Sequence, residues 1–144
     1  MVNSRRWCLR AAAVALAGTL SACGNTTGTA GPTDTLIGPT WRLVSIEGQA
    51  AIPGTHVTAV FGENDRIAGS AGCNRYLGAA VVRGETLVVS PMATTMMNCG
   101  AVGVMPQEYA YLAALQGATA YRISGTRLDM GPAPRAVTLV FERE

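Results

Sequence analysis

From Trp41 onward the chain runs in short apolar stretches, alternating at every second residue and separated by turn residues, which is the pattern of an antiparallel β protein. Trp41 and Leu43 open a first strand. Val57, Ala59 and Phe61 alternate with Thr58 and Val60 in a second, and Gly62-Glu63-Asn64-Asp65 supplies turn chemistry before Arg66 to Ser70. Two more hairpins repeat the scheme. Ala79 to Val82 and Thr86 to Val89 flank Arg83-Gly84-Glu85, while Tyr121 to Ile123 and Arg127 to Met130 flank Ser124-Gly125-Thr126. Val137, Leu139 and Phe141 share one face of a closing strand, opposite Thr138, Val140 and Glu142, the clearest strand in the chain.

One segment breaks the two-residue period. Pro106 suits a first helical position, Glu108 falls in the first turn, and Gly117 is a stop; Met105, Tyr109 and Leu112 recur at helical spacing. The expectation is an α+β domain, a mostly antiparallel, curved or barrel-like sheet with one packed helix.

The N-terminal segment follows another pattern. Arg5, Arg6 and Arg10 precede the apolar run from Ala11 to Leu20, which is too short to span a membrane as a helix and has the order of an export signal. Leu20-Ser21-Ala22-Cys23 then has the form of a lipobox: an apolar residue, two small ones, and the thiol that takes lipid. The competing reading is an ordinary cysteine behind a conventional cleavage site. Residues 1–22 are thus expected to be a lipoprotein signal peptide, with Cys23 the lipidation site. Residues 23–39, rich in Gly, Thr and Pro, form a flexible tether, and 40–144 the folded domain. Gly24 after the cysteine, where some lipoproteins carry Asp, favours the periplasmic face of an outer membrane in a two-membrane cell.

This division changes the charge. The whole chain carries 11 basic and 9 acidic side chains, but three arginines lie ahead of Cys23, leaving 8 against 9, a net −1. A near-neutral domain without a basic run lacks the footprint that nucleic-acid binding needs. The expected partners are the membrane, through the lipid, and an envelope protein or small ligand.

The block Gly69-Ser70-Ala71-Gly72-Cys73-Asn74-Arg75-Tyr76-Leu77-Gly78 resembles the META domain, the family of the heat-shock lipoprotein HslJ, in its Gly-Cys-Asn segment followed by an aromatic residue and a glycine. Thr95-Met96-Met97-Asn98-Cys99 is similar to the family's second cysteine motif, and Trp41, the segment Glu108 to Leu115, Leu139 and Phe141 fall in its order of strands and helix. The resemblance implies a β-rich, one-helix fold, a cell-envelope setting and an association with stress tolerance, and it implies no defined enzymatic activity. Where many relatives carry a cation before the second cysteine this chain has Met96, so no role for that charge is carried over.

Cys73 and Cys99 are the thiols left in an exported domain, and a disulfide between them is expected, against the alternative of a redox-active or nucleophilic cysteine. His56 is a lone histidine at a strand start. An enzyme using it would need an acid and a nucleophile that no motif supplies, so the expectation is a noncatalytic protein without catalytic residues. Too few ligands remain for zinc. Met92, Met96, Met97 and Met105 around Cys99 offer soft donors for Cu(I), but methionine more commonly packs cores, and no metal or cofactor is expected. Asn74, Arg75 and Tyr76 form the candidate ligand-binding group, weighed against a turn role for the amide and a core-edge role for the ring.

Overall fold

A computed structural model describes residues 35–134 and 136–144. The signal segment, Cys23 and most of the expected tether lie outside the described residues. Among the described residues ten strands form: β1 (Thr40–Ile46), β2 (Gln49–Ala50), β3 (Thr58–Gly62), β4 (Arg66–Ser70), β5 (Arg75–Arg83), β6 (Thr86–Val89), β7 (Ala93–Thr94), β8 (Ala120–Ser124), β9 (Arg127–Gly131) and β10 (Leu139–Arg143). Among the described residues one helix, α1 (Val104–Gly117), lies between β7 and β8.

Neighbouring strands pair antiparallel in the order β10-β9-β8-β6-β5-β4-β3-β1, and β10 pairs again with β1, so eight strands close into a barrel. Closure rests on the longest registers: Trp41 faces Arg143 and Leu43 faces Phe141, with a bulge after Leu43. The β2 strand extends the β1 edge, and β7 lies on β5. The seam is thinnest between β6 and β8, where Thr86–Ala120 is the one bridged pair.

The alternation read from the sequence fills this barrel. Trp41, Phe61, Ile67, Leu87, Leu128, Met130, Leu139 and Phe141 point inward and are buried. An interior packed with side chains leaves no room for a small ligand at the barrel axis. Two clefts among the described residues lie outside it.

Three boundaries shift. The domain begins before residue 40: Leu36 is 4 % exposed, its carbonyl accepts the Trp41 indole N–H at 3.0 Å, and Ile37 bridges to Phe61. The expected tether therefore gives up its last residues to the core. β5 starts at Arg75 instead of Ala79, because its first half pairs with β4 and its second with β6. Val137 does not join the closing strand and is 50 % exposed. The chain there folds back over Gly131 before β10 begins.

The helix shows its other side to the core. Val104, Gln107, Glu108, Tyr111 and Leu115 are buried, whereas Tyr109 is 67 % exposed. The expected Met105–Tyr109–Leu112 stripe is thus an outward and flanking face. The misreading has a physical cause: polar tips on the buried face make it look like solvent surface.

Candidate functional site

Each of those polar tips ties α1 to a different part of the barrel. Gln107 accepts the Ile52 backbone N–H at 2.6 Å and donates to the Thr55 hydroxyl at 3.1 Å. The Tyr111 hydroxyl meets that of Tyr76 at 2.7 Å, and both lie within reach of the Thr58 carbonyl, at 3.2 and 2.8 Å, so that one hydroxyl donates to the carbonyl and the other to its neighbouring hydroxyl. Their rings meet edge-on with centroids 5.8 Å apart. Burial pushes both phenols above the ordinary tyrosine range.

Glu108 is the centre of the arrangement. Only 3 % exposed, it accepts the Asn74 backbone N–H at 2.7 Å and the Cys73 N–H at 3.2 Å on one oxygen, and the Asn74 side-chain N–H at 2.7 Å on the other. Asn74 then passes the constraint on. Its amide also donates to the Met97 carbonyl at 3.0 Å, while its carbonyl accepts the Met97 N–H and the Thr95 hydroxyl, both at 2.7 Å. The side chain thereby grips Met97 as a neighbouring strand would. The Gly72 φ of +116°, a value that favours glycine, turns the chain into this position.

A disulfide joins Cys73 to Cys99, with Cα atoms 5.9 Å apart. The segment between β7 and α1 is thus held to the barrel twice, covalently at Cys99 and through Asn74 at Met97. Outside this double tie lies a cleft of about 520 Å³, lined among others by Thr95, Met97, Met105, Tyr109 and Leu112. Between Glu85 and Glu108 the sequence has no charged residue, and here Met96 is 97 %, Val102 96 % and Met97 57 % exposed. An uncharged, methionine-bearing surface of this kind is unusual on a small domain.

The residues singled out in the sequence now separate. Cys73 and Cys99 pair. Asn74 is 3 % exposed with both amide hydrogens and its carbonyl engaged, and Tyr76 is equally buried with its hydroxyl between Thr58 and Tyr111. Neither has hydrogen-bonding capacity left for a ligand, which narrows the ligand-contact reading to Arg75, exposed on β5. His56 is exposed and lies 3.0 Å from Glu144, whose carboxylate also approaches Arg42 at 3.6 Å. Neither cleft includes His56. The copper reading loses its thiolate to the disulfide, and Met92 packs on the core against Gly78. Glu108 is the residue that sequence reasoning missed. A glutamate in a helix's first turns has an ordinary explanation in the helix dipole, and nothing local marks partners 34 and 35 residues away.

Known proteins place this geometry. Solved structures with the same fold include an NMR structure of a protein at 24 % identity, covering 72 % of this chain and 87 % of that one with a TM-score of 0.58. A second, from Burkholderia xenovorans, has 23 % identity, 76 % and 83 % coverage and a TM-score of 0.59. A crystal structure of a DUF4847 family protein from Bacteroides vulgatus shares 14 % identity over 72 % and 91 % of the chains, with a TM-score of 0.53. No curated protein matches the sequence. The family model of the META domain matches residues 34–144, a span that contains every described residue, and the chain belongs to the META domain family.

Proposed function

We propose that this is an exported lipoprotein, anchored to an envelope membrane through Cys23, whose META domain works by docking a partner protein in support of envelope stress tolerance. The observation that carries the reading is the uncharged face formed by Met96, Met97 and Tyr109 around one cleft, held in place by the disulfide and the Asn74–Glu108 hydrogen bonds. Interfaces favour such a surface: methionine and tyrosine bury large areas without charge to desolvate, and a pre-tied loop loses little entropy on binding. The anchor suits the topology. The chain enters the barrel beside Phe61, next to the β3–β4 turn, whereas Cys73 sits beyond the opposite end of β4. A lipid on the N-terminal side leaves the Met96 face open to a partner.

A photo-reactive residue in place of Met96, in the full lipidated chain in native membranes, is expected to give a discrete adduct that the same probe at Arg127 does not. Matching patterns from both positions would sink the docking face. In parallel, Cys23→Ala is expected to release the protein from the membrane fraction, and retention there would overturn the anchor alone.

A further inference from the structure

With Cys73 and Cys99 joined, the readily oxidised sulfur of the described residues is the thioether of methionine. A peroxide reacts with a thioether only where it can reach the sulfur, and the methionines of the domain span the whole range of access. Met96 is 97 % and Met97 57 % exposed, Met92 and Met105 are half-buried, and Met130, inside the barrel, is 1 % exposed. The two most accessible sulfurs are thus neighbours in sequence, and both residues line the cleft that Tyr109 shares.

The way this segment is held decides what oxidation does to it. The Asn74 side chain grips Met97 by its backbone alone, accepting its N–H at 2.7 Å and donating to its carbonyl at 3.0 Å. The disulfide fixes the same stretch two residues further on. The side chains of Met96 and Met97 lie outside the packed core, so an oxygen added to either sulfur leaves the fold and the position of the loop intact. The same change at Met130 would put a polar group into the barrel interior. What changes at positions 96 and 97 is the surface. A sulfoxide oxygen is a hydrogen-bond acceptor that water satisfies on the free protein, and that loses this water when an apolar partner covers it.

We propose that Met96 and Met97 form a redox modification site, at which hydrogen peroxide converts the thioethers to sulfoxides and so closes the docking face without unfolding the domain. The loss of docking rests on the reading of this face as a partner site; the order in which the methionines oxidise does not. In the step, the sulfur lone pair attacks one peroxide oxygen, the S–O bond forms as the O–O bond breaks, and sulfur gives up two electrons. The second oxygen takes the proton of the first and leaves as water. A reductase of the dithiol class reverses the change, carrying the oxygen away as water while its own two thiols become a disulfide.

The test uses the full lipidated chain in native membranes with a photo-reactive residue in place of Tyr109, which keeps both methionines. Samples taken along an exposure to hydrogen peroxide are irradiated, and the protein is purified and mapped peptide by peptide for added oxygen. Met96 is expected to oxidise first, Met97 next and Met130 last, with thermal melting unchanged while positions 96 and 97 alone are modified, and with the Tyr109 adduct lost over that interval. Met96→Leu combined with Met97→Leu keeps the apolar bulk without the reactive sulfur, and unchanged melting establishes that it folds. Its adduct is expected to survive the same exposure. Oxidation of Met130 as early as Met96, an adduct that persists on chains fully oxidised at 96 and 97, or an adduct lost equally from the leucine variant overturns the switch and leaves the docking face standing. A chain that gives no Tyr109 adduct even before peroxide overturns the docking face, and the switch with it.

Discussion

At the scale of single residues, Glu108 and Asn74 are locked in one orientation by each other. The Asn74 carbonyl must accept from Met97 and Thr95, so its amide must face Glu108, and Glu108 must offer an acceptor on both oxygens. Glutamine at position 108 has nearly the same shape but one acceptor. If its oxygen serves the backbone N–H groups of Cys73 and Asn74, its NH₂ meets the Asn74 NH₂, donor against donor. Glu108→Gln is therefore expected to destabilise the domain by about 1–3 kcal/mol, the cost of buried polar groups left unmatched, as read by urea unfolding. A change below about 0.5 kcal/mol would mean that the pair rearranges freely and that the lock does not exist.

At the scale of elements, the longer strands and their hairpin turns were legible, and the long-range contacts of the helix and loops were not. Alternation in Ala59–Phe61, Leu128–Met130 and Leu139–Phe141 reports one buried face directly, because a strand's side chains divide between two sides. Helix α1 defeats the same logic: Gln107, Glu108 and Tyr111 are buried because loops 52–55, 72–74 and the Tyr76 hydroxyl come to meet them, and those meetings span long stretches of chain. Leu36 was hidden for a similar reason, a single apolar residue in a Gly/Thr/Pro stretch whose partner is the Trp41 indole. The candidate site was half legible, through its cysteines and Asn74 but not through the carboxylate behind them. The segment carrying Met96 tests how the two ties divide their work. Replacing both Cys73 and Cys99 with serine opens a link across 26 positions, and is expected to cost about 3 kcal/mol through the entropy of the unfolded chain. The Met97 amide should nonetheless remain protected in hydrogen exchange, because Asn74 still holds it. Exchange at Met97 as fast as at Gly100 would show that the disulfide alone shapes the face.

At the scale of the whole molecule, the helix and the barrel are joined through two buried phenols, and this sets how stability responds to alkali. Tyr76 and Tyr111 lose their protons in the unfolded chain near the ordinary value of 10.0, but burial holds both well above it in the fold. The folded state therefore binds more protons than the unfolded state at pH above about 10, and by linkage its stability must fall as pH rises from there; below that pH both states are protonated and the contribution is fully present. The sequence makes the measurement clean, because it contains no lysine to titrate over the same range. Unfolding free energy of the domain is expected to be level in the phenol contribution up to pH about 10 and then to decline with a slope approaching two protons, to which the partly buried Tyr121 adds in the same direction. Tyr76→Phe removes one of the two deeply buried acids while leaving Tyr111 its bond to the Thr58 carbonyl, so the slope should drop by about one proton. An unchanged slope in that variant would mean that the helix separates from the barrel before the phenols ionise, and that the Tyr76–Tyr111 contact does not bind the two parts into one cooperative unit.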